Sequence, residues 1–492
     1  MTADAGRRRR FTVVGAILGL IGVVAVVAVS IVAVNTLRTS QEGQAPEADT
    51  REVVSFPATP NAVIGVVDDL DRLTSIAVFT LDPSGVGGSI VTVPVNVDQT
   101  NGFGPDRLPV SRQPYTPGDD DQAAELIAEL EPLLTLTIER SKVAGPDELT
   151  ALLEPLGPFD VDLPERVVDS DTPGSGLVVR AGASDLDTES MVEAFTAVDA
   201  SGESYDHHPI DVALWQAVAD RAPVGASEPP LDQFDRPIPP ETFEELWDRL
   251  FGGEVSVRDL AIDQFAMRAV DNDTEADFVL VSRPDSLLVF GAISPGLVST
   301  PNESVSLMLV VGFDDEDVEA LGETADGTPI TKASMTRRFI GELIFKQANI
   351  VAVDLAETPG AVPETTQLLL ASELLEDEVR ATSERFFADA EAIVADRLID
   401  GVDAVVVLGE NFLVQRAELL EIEREQAAEA EAAADEDDGA DFDLSDVDPD
   451  IDADGETEPG DTDAPVDTAD PDTADPDSTD ADATSDTVPD DG

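Results

Sequence analysis

Four charged residues in five positions, Asp68, Asp69, Asp71 and Arg72, follow the apolar run Asn61 to Val67. Carboxylates grouped after a strand can hold a hard cation such as Mg2+, which takes one or two carboxylates and fills its shell with water and phosphate oxygens. The carboxyl end of a strand is also where α/β sheets place their ligands. Asp68 and Asp69 are the candidate metal ligands. The alternative is an acidic loop in an acidic protein.

Other residues invite the same weighing. Asp450, Asp452, Asp454 and Asp461, with Gly455 at the sharp turn, match the spacing of a calcium loop. A tail this rich in aspartate produces such a match by chance, and no helices flank it. His207 and His208, the only histidines, could serve as a base near Asp206, but they are adjacent and precede Pro209, so a solvated loop is expected. Trp215 falls on an apolar helix face and reads as core. Arg337, Arg338 and Lys346 form a local basic cluster best read as a charged outer helix face.

The charge balance bounds the partners. With 104 acids against 28 bases the formal net charge is -76, which excludes nucleic acid as a partner and disfavours anionic lipid surfaces for the soluble part. Residues 435–492 carry 25 acids and no Lys or Arg, so this tail cannot bury a core and is expected to be disordered. The absence of cysteine excludes disulfides, zinc–thiolate sites and thiol catalysis.

The elements that must position these residues follow in order. Residues 1–10 are basic and 11–34 form a charge-free, mostly apolar run. At ~1.5 Å per residue the run is long enough for a bilayer core. Arg7 to Arg10 orient the amino terminus inward, so a single-pass anchor with an extracytoplasmic body is expected. Gly15 and Gly19 have small-xxx-small spacing. Residues 35–60 read as a polar linker.

Strands flank a Pro/Gly turn at Asp82 to Gly85, within Asn61 to Asp98, and Gln99 to Gly118 is a long connection. Helices are expected at Asp119 to Leu130, Pro146 to Leu156, Asp187 to Val198, Ile210 to Val218 and Pro240 to Phe251. Strands are expected at Leu133 to Glu139, Phe159 to Leu163, Gly176 to Arg180 and Phe278 to Phe290. Residues 295–303 read as a linker between domains 61–294 and 304–413.

The second domain has the order strand Val305 to Val311, helix Ser334 to Gln347, strands Ile350 to Leu355 and Gln367 to Leu370, helix Asp377 to Leu398 and strand Ala404 to Leu408. This βαββαβ order fits a small two-layer α/β domain. A Glu/Ala-rich helix, 414–434, leads into the tail.

The run Asn61 to Pro94, with Asp68, Arg72-Leu-Thr-Ser-Ile, Leu81-Asp-Pro and Thr92-Val-Pro, resembles the start of the LytR-CpsA-Psr family of cell-wall glycopolymer transferases. Thr135 to Pro164, Gly176 to Val198 and Phe243 to Ala266 resemble later family segments in the same order, and Asp403 to Leu413 resembles the close of a LytR-type carboxy-terminal domain. The resemblance covers about residues 61 to 413.

It implies a mixed-sheet α/β/α domain with a cavity for a polyprenyl tail, and a mouth where arginines and a divalent cation hold pyrophosphate. Asp68 and Arg72 would be its pyrophosphate-binding residues, with Mg2+ as a possible cofactor. The implied partners are a polyprenyl lipid, a wall glycopolymer or other envelope proteins.

The chain departs from the family pattern where cations are needed. Thr74 stands for an acid, Val95 and Asn96 for an arginine and an aspartate, Thr196 and Val198 for two arginines, and His207 to Asp211 for an arginine-rich helix. No Lys or Arg occurs from Ala181 to Asp220. Each lost bidentate phosphate contact removes about 1.5 to 3 kcal/mol. The expectation is therefore a non-catalytic binding or scaffolding protein of wall assembly. One rival is an active phosphotransferase with arginines supplied from elsewhere, such as Arg107, Arg112 or Arg180. The other is a surface interaction protein that keeps only the fold.

Overall fold

The computed structural model describes residues 50–98, 109–170, 176–198, 207–224, 229–263, 269–271, 274–276, 279–299, 305–355 and 362–438. Residues 1–49, the apolar run included, lie outside them, as do Arg107 and the calcium-like loop 450–461. Among the described residues no helix is long and apolar enough to cross a membrane. A compact unit ends at Glu429, inside the last helix, and the contacts below belong to it.

In chain order the first part runs β1 (Glu52–Val54), β2 (Asn61–Val67), β3 (Leu73–Leu81), β4 (Gly88–Val93), α1 (Asp120–Leu134), β5 (Ser141–Ala144), α2 (Pro146–Leu153) and β6 (Phe159–Leu163). There follow β7 (Val167–Val168), β8 (Leu177–Val179), β9 (Gly182–Leu186), α3 (Thr188–Thr196), α4 (His208–Ala219), α5 (Phe243–Leu250) and β10 (Val255–Asp259). The short strands β11 (Ile262–Asp263), β12 (Ala269–Asp271), β13 (Thr274–Ala276) and β14 (Leu280–Val281) precede α6 (Arg283–Ile293).

The second part runs β15 (Val305–Val310), α7 (Asp315–Glu319), α8 (Lys332–Phe345), β16 (Ala348–Asp354), β17 (Gln367–Leu370), α9 (Glu376–Thr382) and α10 (Glu384–Phe387). It closes with β18 (Glu391–Val394), β19 (Arg397–Ile399), β20 (Ala404–Val407) and α11 (Glu410–Asp438).

Two mixed sheets organise the molecule, ordered β10-β4-β3-β2-β5 and β16-β15-β20-β17-β18. Every residue of β2, β3 and β4 is buried, because helices cover both faces of the first sheet. One face packs on α1 and α6 through Leu126, Leu130, Leu287 and Phe290. The other packs on α2 to α5 through Leu149, Phe195, Trp215 and Trp247. The first part is thus a mixed-sheet α/β/α sandwich.

The core does not stop at the linker. Val63, Leu126 and Phe290 belong to the same buried cluster as Leu307, Phe339 and Phe412. Helix α6 joins the parts: Asp285, 2% exposed, accepts from Arg337 Nε at 2.6 Å and from the Ala261 N–H at 2.6 Å. Strand β1 pairs in parallel with β19, and Arg51 donates to the carbonyls of Ala395 at 2.7 Å and Ala371 at 2.6 Å. The chain thus pairs with the second part, in a separate two-stranded ladder, before it enters the first sheet.

Three expectations fail locally. Phe278 to Phe290, read as a strand, holds helix α6; it is apolar on several sides because it is wedged between two layers, so it shows no amphipathic stripe, while Pro284 and Asp285 mark its start. Leu133 to Glu139 is not a strand, because α1 continues to Leu134 and stops with Thr135 left-handed at φ 51. Asp377 to Leu398 is broken into α9, α10, β18 and β19, so the second part carries more strands than βαββαβ.

Candidate functional site

The site residues sit on one edge of the first sheet. β3 runs antiparallel to β2 and β4, and β10 runs parallel to β4, so β2, β4 and β10 all end at that edge. The Asp68 to Arg72 loop joins β2 to β3 there, and α4 begins beside the end of β10, where His208 meets Asp259.

The loop is a closed turn built on one carboxylate. Asp68 Oδ1 accepts the N–H groups of Leu70 and Arg72, both at 2.9 Å. Asp68 Oδ2 accepts Arg72 Nε at 2.6 Å and Arg72 Nη2 at 2.6 Å. The Asp68 N–H donates to the Arg72 carbonyl at 3.0 Å, and Asp71 takes a left-handed φ of 61, which aspartate tolerates better than most residues. Tyr115 and Thr116 buttress the turn, the first through its N–H to the Asp71 carbonyl at 2.9 Å, the second through its hydroxyl to Asp71 Oδ2 at 3.3 Å. The Tyr115 hydroxyl donates to Glu129 Oε2 at 2.7 Å, and burial together with that carboxylate holds the phenol well above its ordinary range.

The same turn occurs a second time. At Asp232 to Arg236, Asp232 Oδ1 accepts Phe234 N–H at 2.7 Å and Arg236 N–H at 3.0 Å, and Oδ2 accepts Arg236 Nε at 3.1 Å and Nη2 at 3.0 Å. The Asp232 N–H donates to the Arg236 carbonyl at 2.8 Å, and Asp235 has φ 58. The N–H of Arg236 holds the Asp232 carboxyl below its usual range. Both segments read Asp-x-apolar-Asp-Arg, and both expose the apolar residue at the tip, Leu70 at 64% and Phe234 at 65%. That spacing was visible in the sequence. The Asp68–Arg72 pair is a turn-closing device that needs no ligand to explain it.

This geometry does not fit Mg2+ at Asp68. Both carboxylate oxygens already accept, and a guanidinium occupies the side a cation would approach. Asp69 is exposed, and among the described residues no group of three or more His, Cys, Asp or Glu could hold a metal. Replacing Asp68 with alanine should cost about 1–2 kcal/mol by stranding two N–H donors and releasing Arg72. Denaturant titration of the full chain checks this, and added Mg2+ should leave the wild-type midpoint unchanged.

Residues at positions where the resemblance implies an arginine and an acid are packed as well. Val95 is buried, and Thr74 is buried with its hydroxyl donating to the Val66 carbonyl at 3.2 Å. His207 and His208 are not solvated, contrary to expectation. His208 is 4% exposed, with Nε2 2.6 Å from Asp259 Oδ1, and His207 Nδ1 lies 3.8 Å from Asp211 Oδ1. Asp211 is 2% exposed. Helix α4 packs its first turn onto β10, which a lone sequence of two histidines and a proline does not reveal.

Nor do these groups converge on Asp68. Asp259 is level with Thr92 and Ala77 across the sheet, five residues along β3 from Arg72 and on a strand two places away. At 3.3 Å per residue and 4.8 Å per strand this separates them by roughly 20 Å. Arg180 is exposed, and the Arg112 side chain lies outside the described residues. Trp215 is core, with Nε1 donating to Ser75 Oγ at 3.1 Å. The Arg337–Arg338 cluster is consumed by Asp285 and Glu423.

No protein-family model and no curated protein matches the sequence. Among solved structures, TagV of B. subtilis is 14% identical with a TM-score of 0.32, covering 45% of this chain and 91% of that one. TagT of B. subtilis is 10% identical at a TM-score of 0.30, covering 46% and 92%. A LytR-Csp2A-Psr enzyme from Actinomyces oris is 16% identical at a TM-score of 0.27, covering 44% and 88%.

Proposed function

We propose that this chain is a membrane-anchored, extracytoplasmic protein of cell-wall assembly that binds or scaffolds and does not transfer glycopolymer. The ordered sequence resemblance from Asn61 to Leu413 supports the setting, and the apolar run 11–34 supports the anchor. The observation that supports the non-catalytic reading is that the arginine of the strand-end loop is engaged within its own turn. Phosphoryl transfer depends on cations spread over the diphosphate. Here Arg72 closes its own turn on Asp68, and the first turn of α4 brings the buried carboxylate Asp211 where the resemblance calls for guanidinium groups.

The test uses the full chain in detergent, with a labelled glycopolymer on polyprenyl diphosphate as donor and peptidoglycan as acceptor. No transfer above the no-protein control is expected, with or without Mg2+. Transfer that disappears on Asp68→Ala or Arg72→Ala would establish the enzyme instead.

A further inference from the structure

The strand that receives the chain from residues 1–49 lies at the centre of a cluster of exposed apolar side chains. β1 carries Val53 on the wall of one cleft, of about 550 Å³, and Val54 on the wall of another, of about 580 Å³, because successive strand side chains point to opposite faces. Among the described residues thirteen large apolar side chains are exposed. Six of them lie on these walls or on the Asp232 to Arg236 turn and its flank: Val53, Val54, Leu231, Phe234, Ile238 and Val394. Such clustering marks an interaction site, whereas single exposed apolar side chains need no explanation.

The cluster is fixed at the point where the chain arrives. Arg51 is held by the carbonyls of Ala395 and Ala371, and Arg249 and Arg140 pin the turn's flank by donating to the carbonyls of Ile238 and Pro240. Sixteen residues, 35–50, separate the end of the apolar run from Arg51. A flexible linker of that length has a root-mean-square span of about 20–24 Å. A folded chain as long as this unit has a radius of gyration of about 21 Å, which puts its far side roughly 50 Å from the point of arrival. With the apolar run in a bilayer, the face around β1 is the one kept at membrane level.

The chemistry of the face suits the headgroup level. Apolar side chains stand beside exposed guanidinium groups, so that the first can enter the interface while the second stay with the headgroups. Arg236 lies 5.1 Å from the Phe234 ring centre, and Arg397, 72% exposed, pairs with Glu52. Asp235 and Asp396 are exposed on the same face and, with the net charge of -76, set it against an anionic surface. We propose that this face docks on a zwitterionic membrane surface, with Phe234, Leu231 and Val53 inserted at the acyl boundary. The docking depends on the anchor proposed above and adds an orientation to it. The Asp68 turn, at the other end of a strand roughly 27 Å long, then stands away from the bilayer.

The chain has no cysteine, so one introduced thiol carries a fluorophore at a unique position. The two Asp-x-apolar-Asp-Arg turns supply matched exposed positions, Gln233→Cys beside Phe234 and Asp69→Cys beside Leu70. The full chain is reconstituted into phosphatidylcholine vesicles containing lipid spin-labelled at a shallow acyl carbon, and the vesicles are floated on a density gradient. Flotation tests the anchor and quenching tests the face. Emission at position 233 should fall about twofold or more and that at 69 should not change, because interfacial groups enter by about 5–10 Å. Phe234→Asp in the Gln233→Cys chain should abolish the loss, Phe234→Tyr should keep it, and phosphatidylglycerol in the vesicles should weaken it. Circular dichroism confirms that each variant is folded. A chain that floats with the two positions unquenched, or quenched equally, overturns the docking and leaves the anchor standing. A chain that does not float overturns the anchor and the docking with it. Emission at 233 that shifts to the blue without quenching overturns the docking in favour of a protein, such as a second copy, on this face.

Discussion

Trp215→Ala should destabilise the protein by about 3–5 kcal/mol, the largest loss expected from a single truncation in the first sandwich. Trp215 is fully buried on α4, with its ring 5.4 Å from Phe79, 4.9 Å from Phe195 and 6.4 Å from Trp247. Truncation empties the centre of this aromatic group, and the neighbours belong to a strand and helices that cannot collapse inward together. It also strips Ser75 of its donor on a fully buried strand. Trp215→Phe keeps much of the packing and loses the N–H bond, so a cost nearer 1–2 kcal/mol is expected. The chain has only two tryptophans, so Trp247 reports unfolding of the variant by fluorescence in a urea titration. A loss below about 1 kcal/mol would show that the helices repack.

The second large effect lies at the join between the two sheets. Arg337→Ala should cost about 3 kcal/mol, because it leaves the Asp285 carboxylate buried without its cation. Asp285 would retain one backbone donor, the Ala261 N–H, and its place in the first turn of α6. The partial exposure of Arg337, 37%, lets water reach the edge of the pair and keeps the cost toward the low end. Arg337→Met with Asp285→Leu should recover only part of the loss, since apolar replacement of a buried pair is often neutral but here leaves the Ala261 N–H without its acceptor. Urea midpoints of the single and double variants measure the coupling. Equal losses in both would mean that volume, not charge, holds the joint.

Much of this architecture can be read from local chemistry. Asp119 caps α1 by accepting from the Asp121 and Gln122 N–H groups, and Asp187 caps α3 by accepting from Ser190. The break at Asp82 to Gly85 supplies a glycine at φ 80 where the hairpin reverses. These signals are short-range, so they survive in a single sequence. Helix α6 was not legible, because a helix apolar on several sides has no stripe to distinguish it from a strand. The segment from Asp377 to Leu398 was not legible either: its acid-rich start promises a long helix, but Ser383 interrupts it at φ -155 and the chain turns into β18.

The candidate site shows the same division. Asp68 and Arg72 were visible as a charged group after a strand, and the structure does join them. Their meaning was legible only by comparison with Asp232 to Arg236, where the same bonds recur far from the sheet edge. His208 illustrates the opposite case: its burial against Asp259 depends on a partner 51 residues later in the chain, which no local pattern encodes.

The strap formed by Arg51 and β1 sets an order of events during folding. Arg51 bonds to Ala395 across 344 positions, and Glu52 registers with Arg397. A chain delivered amino terminus first has these residues waiting while both sheets are still incomplete. Loop closure over such a span is slow and is offset only when β19 and the residues after β17 and β18 are in place to receive it. Strand β1 is therefore a late latch: until β19 forms, Val53 and Val54 stay unpaired, and nascent chains held side by side have their greatest opportunity to exchange this strand.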